Sequence, residues 1–324
     1  MKIAILGATG VVGRQMIKCL EEENIKVDSL KLLASSKSAG SKISFKDEEV
    51  IVEKLAEDSF KGMDIVLGAA SSDIAKEYAP IIVKENAVFI DNSSYFRLFD
   101  DVPLVVPEIN GEDAKKHHGI ISNPNCSTII SLMAVNGINE LSPIKKMIAS
   151  TYQAVSGAGK GGISELEEEI KDINYKPEVF PYQIAYNCIP AIGNEDIDLY
   201  TKEEMKLENE GRKIMHLPDL NVTCTCVRIP VIRSHSISIS LKCERPLEID
   251  EVKEAISKQK GVILYDDLSE KKYPMPILAS DKNEVYVGRI RKDRVFDGGI
   301  ALFCSGDQIR KGAAYNAVSI INCL

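Results

Sequence analysis

The first thirteen residues, M-K-I-A-I-L-G-A-T-G-V-V-G, constrain the fold of this chain more than any other stretch. A short apolar strand from Lys2 to Leu6 runs into glycines at 7, 10 and 13, and a helical pattern follows from Val11 to Leu20. A strand feeding a glycine turn and then a helix opens a βαβ unit, and the return strand from Val27 to Ala34 completes it. In G-x-x-G-x-x-G the missing β-carbons let backbone N–H groups at a helix N-terminus approach a pyrophosphate. Gly7, Thr9, Gly10, Val11, Val12 and Gly13 therefore form a candidate dinucleotide cradle. The spacing departs from G-x-G-x-x-G, so a tight turn without a ligand is the competing reading. Its place directly after the first strand favours the cofactor.

Further strands at Asp64 to Gly68 and Ala87 to Asp91, with a helical stretch from Asp73 to Glu85 between them, alternate as a parallel sheet requires. After Asn125 a helix from Ser127 to Glu140 leads to a strand from Lys145 to Ala154, and longer strands of period two take over. A chain of 324 residues exceeds one ordinary core. The expected architecture is α/β: a Rossmann-like, doubly wound NADP-binding domain over 1–125, completed by a C-terminal helix at 305–324, and an α+β catalytic and dimerisation domain over 126–304. In S-H-S-I-S-I-S-L, residues 234 to 241, the period of two puts His235, Ile237, Ile239 and Leu241 on one face and four serines on the other.

The loop after the second strand separates NAD from NADP, because an acid there binds the ribose 2′-hydroxyl and repels a 2′-phosphate. From Ser29 through Lys46 there is no Asp or Glu, while Ser36, Lys37 and Ser38 offer donors to a phosphate. The expected cofactor is NADP.

A formal charge of -8 argues against nucleic acid and anionic lipid as partners, and no window approaches 18 consecutive apolar residues. The amino terminus reads as a buried strand and not as a signal peptide. Eight cysteines without a C-x-x-C pair match no zinc framework, so no metal site and reduced cytoplasmic thiols are expected. Cys224 and Cys226 alternate along one strand as small apolar side chains. Cys126, in N-P-N-C-S-T ahead of an apolar helix, sits where a helix N-terminus favours a thiolate; on local grounds a nucleophile and an inert core cysteine both remain open.

The motifs G-A-T-G-V-V-G at 7–13, D-N-S-S-Y-F-R at 91–97, P-N-C-S-T at 124–128, Q-A-V-S-G-A-G at 153–159 and R-I-P-V-I-R-S-H at 228–235 run through nearly the whole chain. In this order and combination the chain resembles the aspartate-β-semialdehyde dehydrogenase family. The resemblance implies NADPH-dependent reduction of β-aspartyl phosphate to aspartate semialdehyde with release of phosphate, on the route to lysine, threonine and methionine. It assigns Cys126 as nucleophile, His235 as general acid/base and Gln153 as the active-site glutamine. Arg97 and Lys206 fall on its phosphate-binding positions, Arg228 on its carboxylate-binding arginine, Glu203 on the acid beside that lysine, and Asn125 within the substrate-binding set. Ser156, Gly157 and Gln308 fall on cofactor positions, as do Thr9 to Val12, Lys37 and Ser38. Lys37 stands where relatives often carry Arg, which weakens a bidentate grip on the 2′-phosphate. The resemblance further implies a homodimer.

Other classes account for less of the sequence. N-acetyl-γ-glutamyl-phosphate reductase shares the thioester chemistry but takes a longer substrate with a blocked amine. An NADP-sensing protein would not need Cys126, Gln153, Arg228 and His235 together, and a cysteine hydrolase leaves the nucleotide fold unexplained. The i, i+3 and i+4 spacing of Glu203, Lys206, Glu210 and Lys213 reads on its own as a solvated helix face, the reading kept here for Glu210 and Lys213.

Overall fold

A computed structural model describes residues 1–23 and 25–324, which separate into two compact units, Met1–Asn125 with Ala313–Leu324, and Cys126–Gly312.

In the first unit the elements are β1 (Lys2–Leu6), α1 (Val11–Glu22), β2 (Ser29–Ala34), β3 (Lys42–Phe45), β4 (Glu48–Lys54), β5 (Ile65–Gly68), α2 (Ser72–Lys84), β6 (Val88–Asp91), α3 (Pro107–Asn110) and β7 (Ile120–Ser122). The sheet order is β3-β4-β2-β1-β5-β6-β7, parallel throughout except for β3 against β4. The order reverses at β1, so the carboxyl ends of β1 and β5 border the switch point where such sheets bind ligands. Ile3, Ala4, Ile5 and Leu6 are all buried, as covered faces on both sides of a parallel sheet require.

The β3–β4 hairpin is absent from the sequence reading. Its two turn residues, Lys46 and Asp47, both adopt positive φ (48° and 66°), the primed turn that a two-residue hairpin needs. A Lys-Asp pair lacks the Asn-Gly signature of such turns, which is why the hairpin is illegible in the text.

The second unit comprises α4 (Cys126–Leu141), β8 (Ile144–Gln153), α5 (Gly159–Lys171), α6 (Lys202–Ile214), β9 (Asn221–Arg228), β10 (His235–Cys243), α7 (Ile249–Lys258), β11 (Val262–Leu264), α8 (Pro276–Ala279), β12 (Val285–Lys292) and β13 (Ile300–Gly306). Its mixed sheet has the order β11-β12-β13-β10-β8-β9. Helix α4 packs on β8, β10, β12 and β13 and against α6 and α7, and it is buried continuously from Ser127 to Ile138. In β10 the alternation holds for His235, Ile237, Ile239 and Leu241, all buried. The serine face is not uniformly wet: Ser234 and Ser236 are buried, Ser236 donating to the Ser305 hydroxyl.

Residues 305–312, which the sequence reading gave to the first domain, lie in the second unit. Ser305 and Gly306 end β13 beside β10, and Gln308 is tied to the 232–234 turn, so the return to the first unit starts at Ala313. Gln308 and Ile309 form a turn, and the helical stretch that follows is a π-helix over Arg310–Ala314, the α-helix α9 over Tyr315–Ile320 and a 3-10 turn over Ile321–Cys323.

Candidate active site

The glycine turn owes its shape to two close approaches. Gly7 has φ +85°, and a Cβ there would stand 2.4 Å from the Ala69 carbonyl oxygen just beyond β5, so only glycine lets the two strand ends meet. A Cβ on Gly13 would stand 2.3 Å from the Gly7 oxygen, which makes Gly13 the seat of α1 on the turn. Gly10 is different: with φ -71° it starts α1, and an added Cβ would reach 3.4 Å from the Gly7 oxygen. The Gly7 and Ala8 N–H groups are spent on the Leu33 carbonyl of β2, whereas those of Val11, Val12 and Gly13 fall in the helix's first turn, which has no intrahelical acceptor for them. Thr9 donates to the Ser38 hydroxyl at 3.4 Å, bringing the second-strand loop beside the turn, and Ser36 and Lys37 are exposed on that loop. A cradle that a β-carbon would fill, facing a helix N-terminus, suits a pyrophosphate.

Also in the first unit, Arg97 is 7% exposed; its Nε donates to the Asn123 carbonyl at 3.0 Å and an Nη to that of Asn92 at 2.8 Å. Asn125 is buried at the unit's edge.

In the second unit Cys126 begins α4, and its Sγ lies 3.5 Å from His235 Nε2 at the start of β10. The Ala154 N–H donates to His235 Nδ1 at 3.0 Å. An occupied Nδ1 assigns the ring proton to Nε2, on the side of the sulfur. Burial, and then the charge of Arg228, lower the His235 pKa to about 3, with Glu203 opposing, so the ring is neutral. A helix N-terminus and an imidazole N–H both directed at one sulfur stabilise negative charge on it.

Arg228, at the end of β9, donates to the Ala154 carbonyl at 2.6 Å, and its backbone pairs with Ile189. It is 7% exposed, and burial lowers its pKa against the pull of Cys126 and Glu203. Gly157 gives it room, since a Cβ there would stand 2.8 Å from the guanidinium and 3.4 Å from the His235 ring. Gln153, ending β8, accepts from Thr151 at 2.9 Å and donates to Glu203 at 3.2 Å, and Glu203 holds Lys206 at 2.7 Å one helical turn on. Two sets of contacts thus lie in one unit, Cys126–His235 with Arg228 on the Ala154 backbone, and Gln153–Glu203–Lys206 starting from the neighbouring residue. Ser156 and Gln308 hydrogen-bond each other, and the Gln308 oxygen accepts from the Ser234 N–H at 2.8 Å.

The other sulfurs differ. Cys224 and Cys226 lie 3.8 Å apart on β9; the hydrogen bond with Cys224 and then burial raise the Cys226 thiol, and burial pushes Cys304 up to about 12. Glu210 is not on a solvated face: it is 2% exposed, because α6 packs against α4 as well as β9.

Two contributors escape residue-by-residue reading. Ala154 acts through its N–H, which no sequence pattern marks. Gly312 leaves space for the nucleophile, as a Cβ there would stand 2.8 Å from the Cys126 Cβ; its place in G-D-Q-I-R-K-G-A-A was the available signal.

Two family models match the chain. The semialdehyde dehydrogenase NAD binding domain matches residues 2–117, and the semialdehyde dehydrogenase dimerisation domain matches residues 135–311. The chain is 49% identical to the aspartate-semialdehyde dehydrogenase of Aquifex aeolicus, over 100% of this chain and 97% of that one. It is 44% identical to that of Bacillus subtilis, over 100% and 97%. Among solved structures, aspartate semialdehyde dehydrogenase II from Vibrio cholerae complexed with ASA superposes with a TM-score of 0.96 at 38% identity, covering 100% of this chain and 97% of that one. The Candida albicans enzyme with NADP gives a TM-score of 0.76 at 25% identity, covering 100% and 98%. With full-length identity at this level and both domain models matched, the chain belongs to the aspartate-semialdehyde dehydrogenase family.

Proposed function

We propose that the protein catalyses the NADPH-dependent reduction of β-aspartyl phosphate to aspartate 4-semialdehyde, and its phosphorylating reverse, through a thioester on Cys126. The observation that carries this reading is the Cys126–His235 pair at the start of α4, with Arg228 beside the imidazole and the Gln153–Glu203–Lys206 chain beginning one residue before Ala154, whose N–H and carbonyl hold His235 and Arg228. The thiolate attacks the acyl phosphate carbon, the C–O bond to phosphate breaks, and the acyl group remains on sulfur. When bound, the dinucleotide supplies the hydride that reduces this acyl group. His235 holds its proton on Nε2 and donates it in a hydrogen bond, first to the sulfur and then to the oxygen that develops charge on the bonded carbon; collapse at that carbon breaks the C–S bond, releasing the aldehyde and returning the Cys126 thiolate. This narrows the general acid/base role read from the resemblance to that of a donor. Arg228 binds the substrate α-carboxylate, Arg97 and Lys206 supply positive charge to phosphate, and Gln153 orients the acyl group. Asn125 joins the substrate set, while Ser156, Gly157 and Gln308 serve the cofactor.

The cofactor is NADP, held by the first-turn N–H groups of Val11, Val12 and Gly13 and by Ser36, Lys37 and Ser38 at the 2′-phosphate. The protein works in the cytoplasm, a reducing compartment that keeps a thiolate nucleophile active. It is a homodimer; support comes from the sheet of the second unit, where Ile148 and Tyr152 on β8 are 41% and 36% exposed. The test follows NADPH absorbance with β-aspartyl phosphate, with N-acetylglutamyl phosphate and with neither. Turnover confined to the first supports the reading, and turnover with the second alone replaces it by the reductase. Lys37→Glu should cut the NADPH-over-NADH preference by about ten-fold; an unchanged preference would remove the loop from the 2′-phosphate site.

A further inference from the structure

On α5 two carboxylates one turn apart, Glu165 and Glu169, point inward and are 2% and 0% exposed. They face residues 178–185, which form neither helix nor strand. Glu165 Oε2 accepts the N–H groups of Glu178, at 2.7 Å, and of Val179, while its Oε1 accepts that of Phe180 at 3.0 Å. Glu169 Oε2 accepts those of Ile184 at 2.8 Å and Ala185 at 2.7 Å, and its Oε1 has no hydrogen-bond partner among the described residues. Burying two carboxylates to hold five backbone donors is a costly way to stabilise a fold, since charge-assisted bonds must offset their desolvation. What it achieves is the path of one loop. On that path the Phe180 ring lies 5.7 Å from the Arg228 guanidinium, and it is packed so closely on α5 that a Cβ on Gly162 would stand 3.0 Å from it. Phe180, Ile189, Ile192 and Gly193 line a cavity of about 180 Å³ onto which Arg228 opens.

We propose that Glu165 and Glu169 are positioning residues for substrate recognition: by clamping residues 178–185 they seat Phe180 as the wall facing Arg228, and so set the size of the carboxylic acid that the arginine accepts. This rests on Arg228 as the carboxylate-binding group. The two glutamates differ in a testable way. Both Glu165 oxygens accept N–H groups, so a carboxamide must turn its NH₂ toward a backbone donor. Glu169 uses one oxygen only, so a carboxamide can place its NH₂ at the position of the unpartnered Oε1.

The experiment measures KM and kcat for aspartate semialdehyde, kcat/KM for N-acetylglutamate semialdehyde, and the dissociation constant of NADP in Glu165→Gln, Glu169→Gln, Phe180→Ala, Arg228→Lys and the Glu165→Gln/Phe180→Ala double variant. Glu165→Gln and Phe180→Ala should each raise KM for aspartate semialdehyde by about ten-fold, with kcat and NADP binding changed by less than about three-fold. The double variant should be no worse than the poorer single one, because both act on the same wall. Phe180→Ala should also narrow the discrimination against the longer acylated aldehyde, and Glu169→Gln, which can keep its accepting oxygen, should raise KM by less than Glu165→Gln does. Glu165→Gln and Phe180→Ala with unchanged KM beside a damaged Arg228→Lys would overturn this inference alone. An Arg228→Lys variant with normal KM would instead break the reading of Arg228 on which it stands. Should Glu165→Gln fail to fold, Phe180→Ala decides: unchanged KM and unchanged discrimination overturn the proposal.

Discussion

In the first unit the candidate cofactor cradle is seven consecutive residues, Gly7 to Gly13, and it works through backbone N–H groups and the absence of side chains. In the second unit Cys126, Gln153, Arg228 and His235 come from the start of α4, the ends of β8 and β9, and the start of β10, and they work through side-chain atoms. The two sites therefore fail differently. The cradle is sensitive to added carbon and indifferent to chemistry, while the cluster is sensitive to the identity of single atoms. Substitutions of matched size can break or sharpen this contrast.

The largest effect is expected at the nucleophile. Cys126→Ser changes one atom and should lower kcat at least about a thousand-fold, because an alcohol is far less acidic than a thiol and the His235 Nε2 facing the side chain already carries its proton and cannot accept another. NADP affinity, measured by calorimetry, should be unchanged. Iodoacetamide should label Cys126 before buried Cys224 and Cys226, with exposed Cys188 as the internal reference for simple access. A serine variant retaining a tenth of the activity would dissolve the contrast.

Arg228→Lys keeps the charge and loses the fork. A charge-assisted bond is worth about 1.5 to 3 kcal/mol, so kcat/KM for the semialdehyde should fall roughly ten- to a hundred-fold while KM for phosphate moves little. The same change at Arg97 should reverse the pattern. Equal small effects on both parameters in both variants would remove the two arginines from opposite ends of the substrate.

Adding one carbon to the cradle tests the other half. Gly13→Ala should cost about 1 to 3 kcal/mol of stability through overpacking against the Gly7 carbonyl and weaken NADP, measured by denaturant titration and fluorescence. Gly10→Ala, with an allowed φ and an open front, should be nearly neutral in stability. Equal behaviour of the two would show that the turn is not held by close approach.

The smallest expected signal is in the pH profile. The folded pKa of His235 lies at about 3 against an ordinary 6.5, so in that window the unfolded chain binds the proton and the native chain does not. The stability associated with this residue is therefore fully present above the ordinary value and is lost as pH falls toward the folded one. No ionisation of His235 should shape kcat/KM between about pH 5 and about 8. An NMR titration showing the His235 ring protonating near neutrality would refute the neutral Nε2–H assignment.

The legible parts of the molecule share one property. The strand–glycine–helix opening, the buried alternation of His235, Ile237, Ile239 and Leu241, and the start of α4 near Cys126 all depend on periodicity or turn chemistry within about ten residues. The Lys46-Asp47 turn and the burial of Glu210 were illegible for the opposite reason. A primed turn can form without its preferred residues when flanking strands pair, and a charged helix position is buried when a second helix packs over it.

For the site, the amino-acid sequence determined which residues carry the chemistry, because the glycine turn is legible from its local neighbours and the ordered set of motifs that carries the family resemblance marks the thiol, the imidazole and the guanidinium. Tertiary structure alone decided how they act. The Ala154 N–H fixes the proton of His235 because β8 and β10 are neighbouring strands in one sheet, and Phe180 faces Arg228 because two buried glutamates on α5 hold the chain between them. Such directions depend on contacts between residues up to 81 positions apart, and the free energy of a contact at that separation is set by packing and hydrogen-bond geometry, which no local pattern encodes.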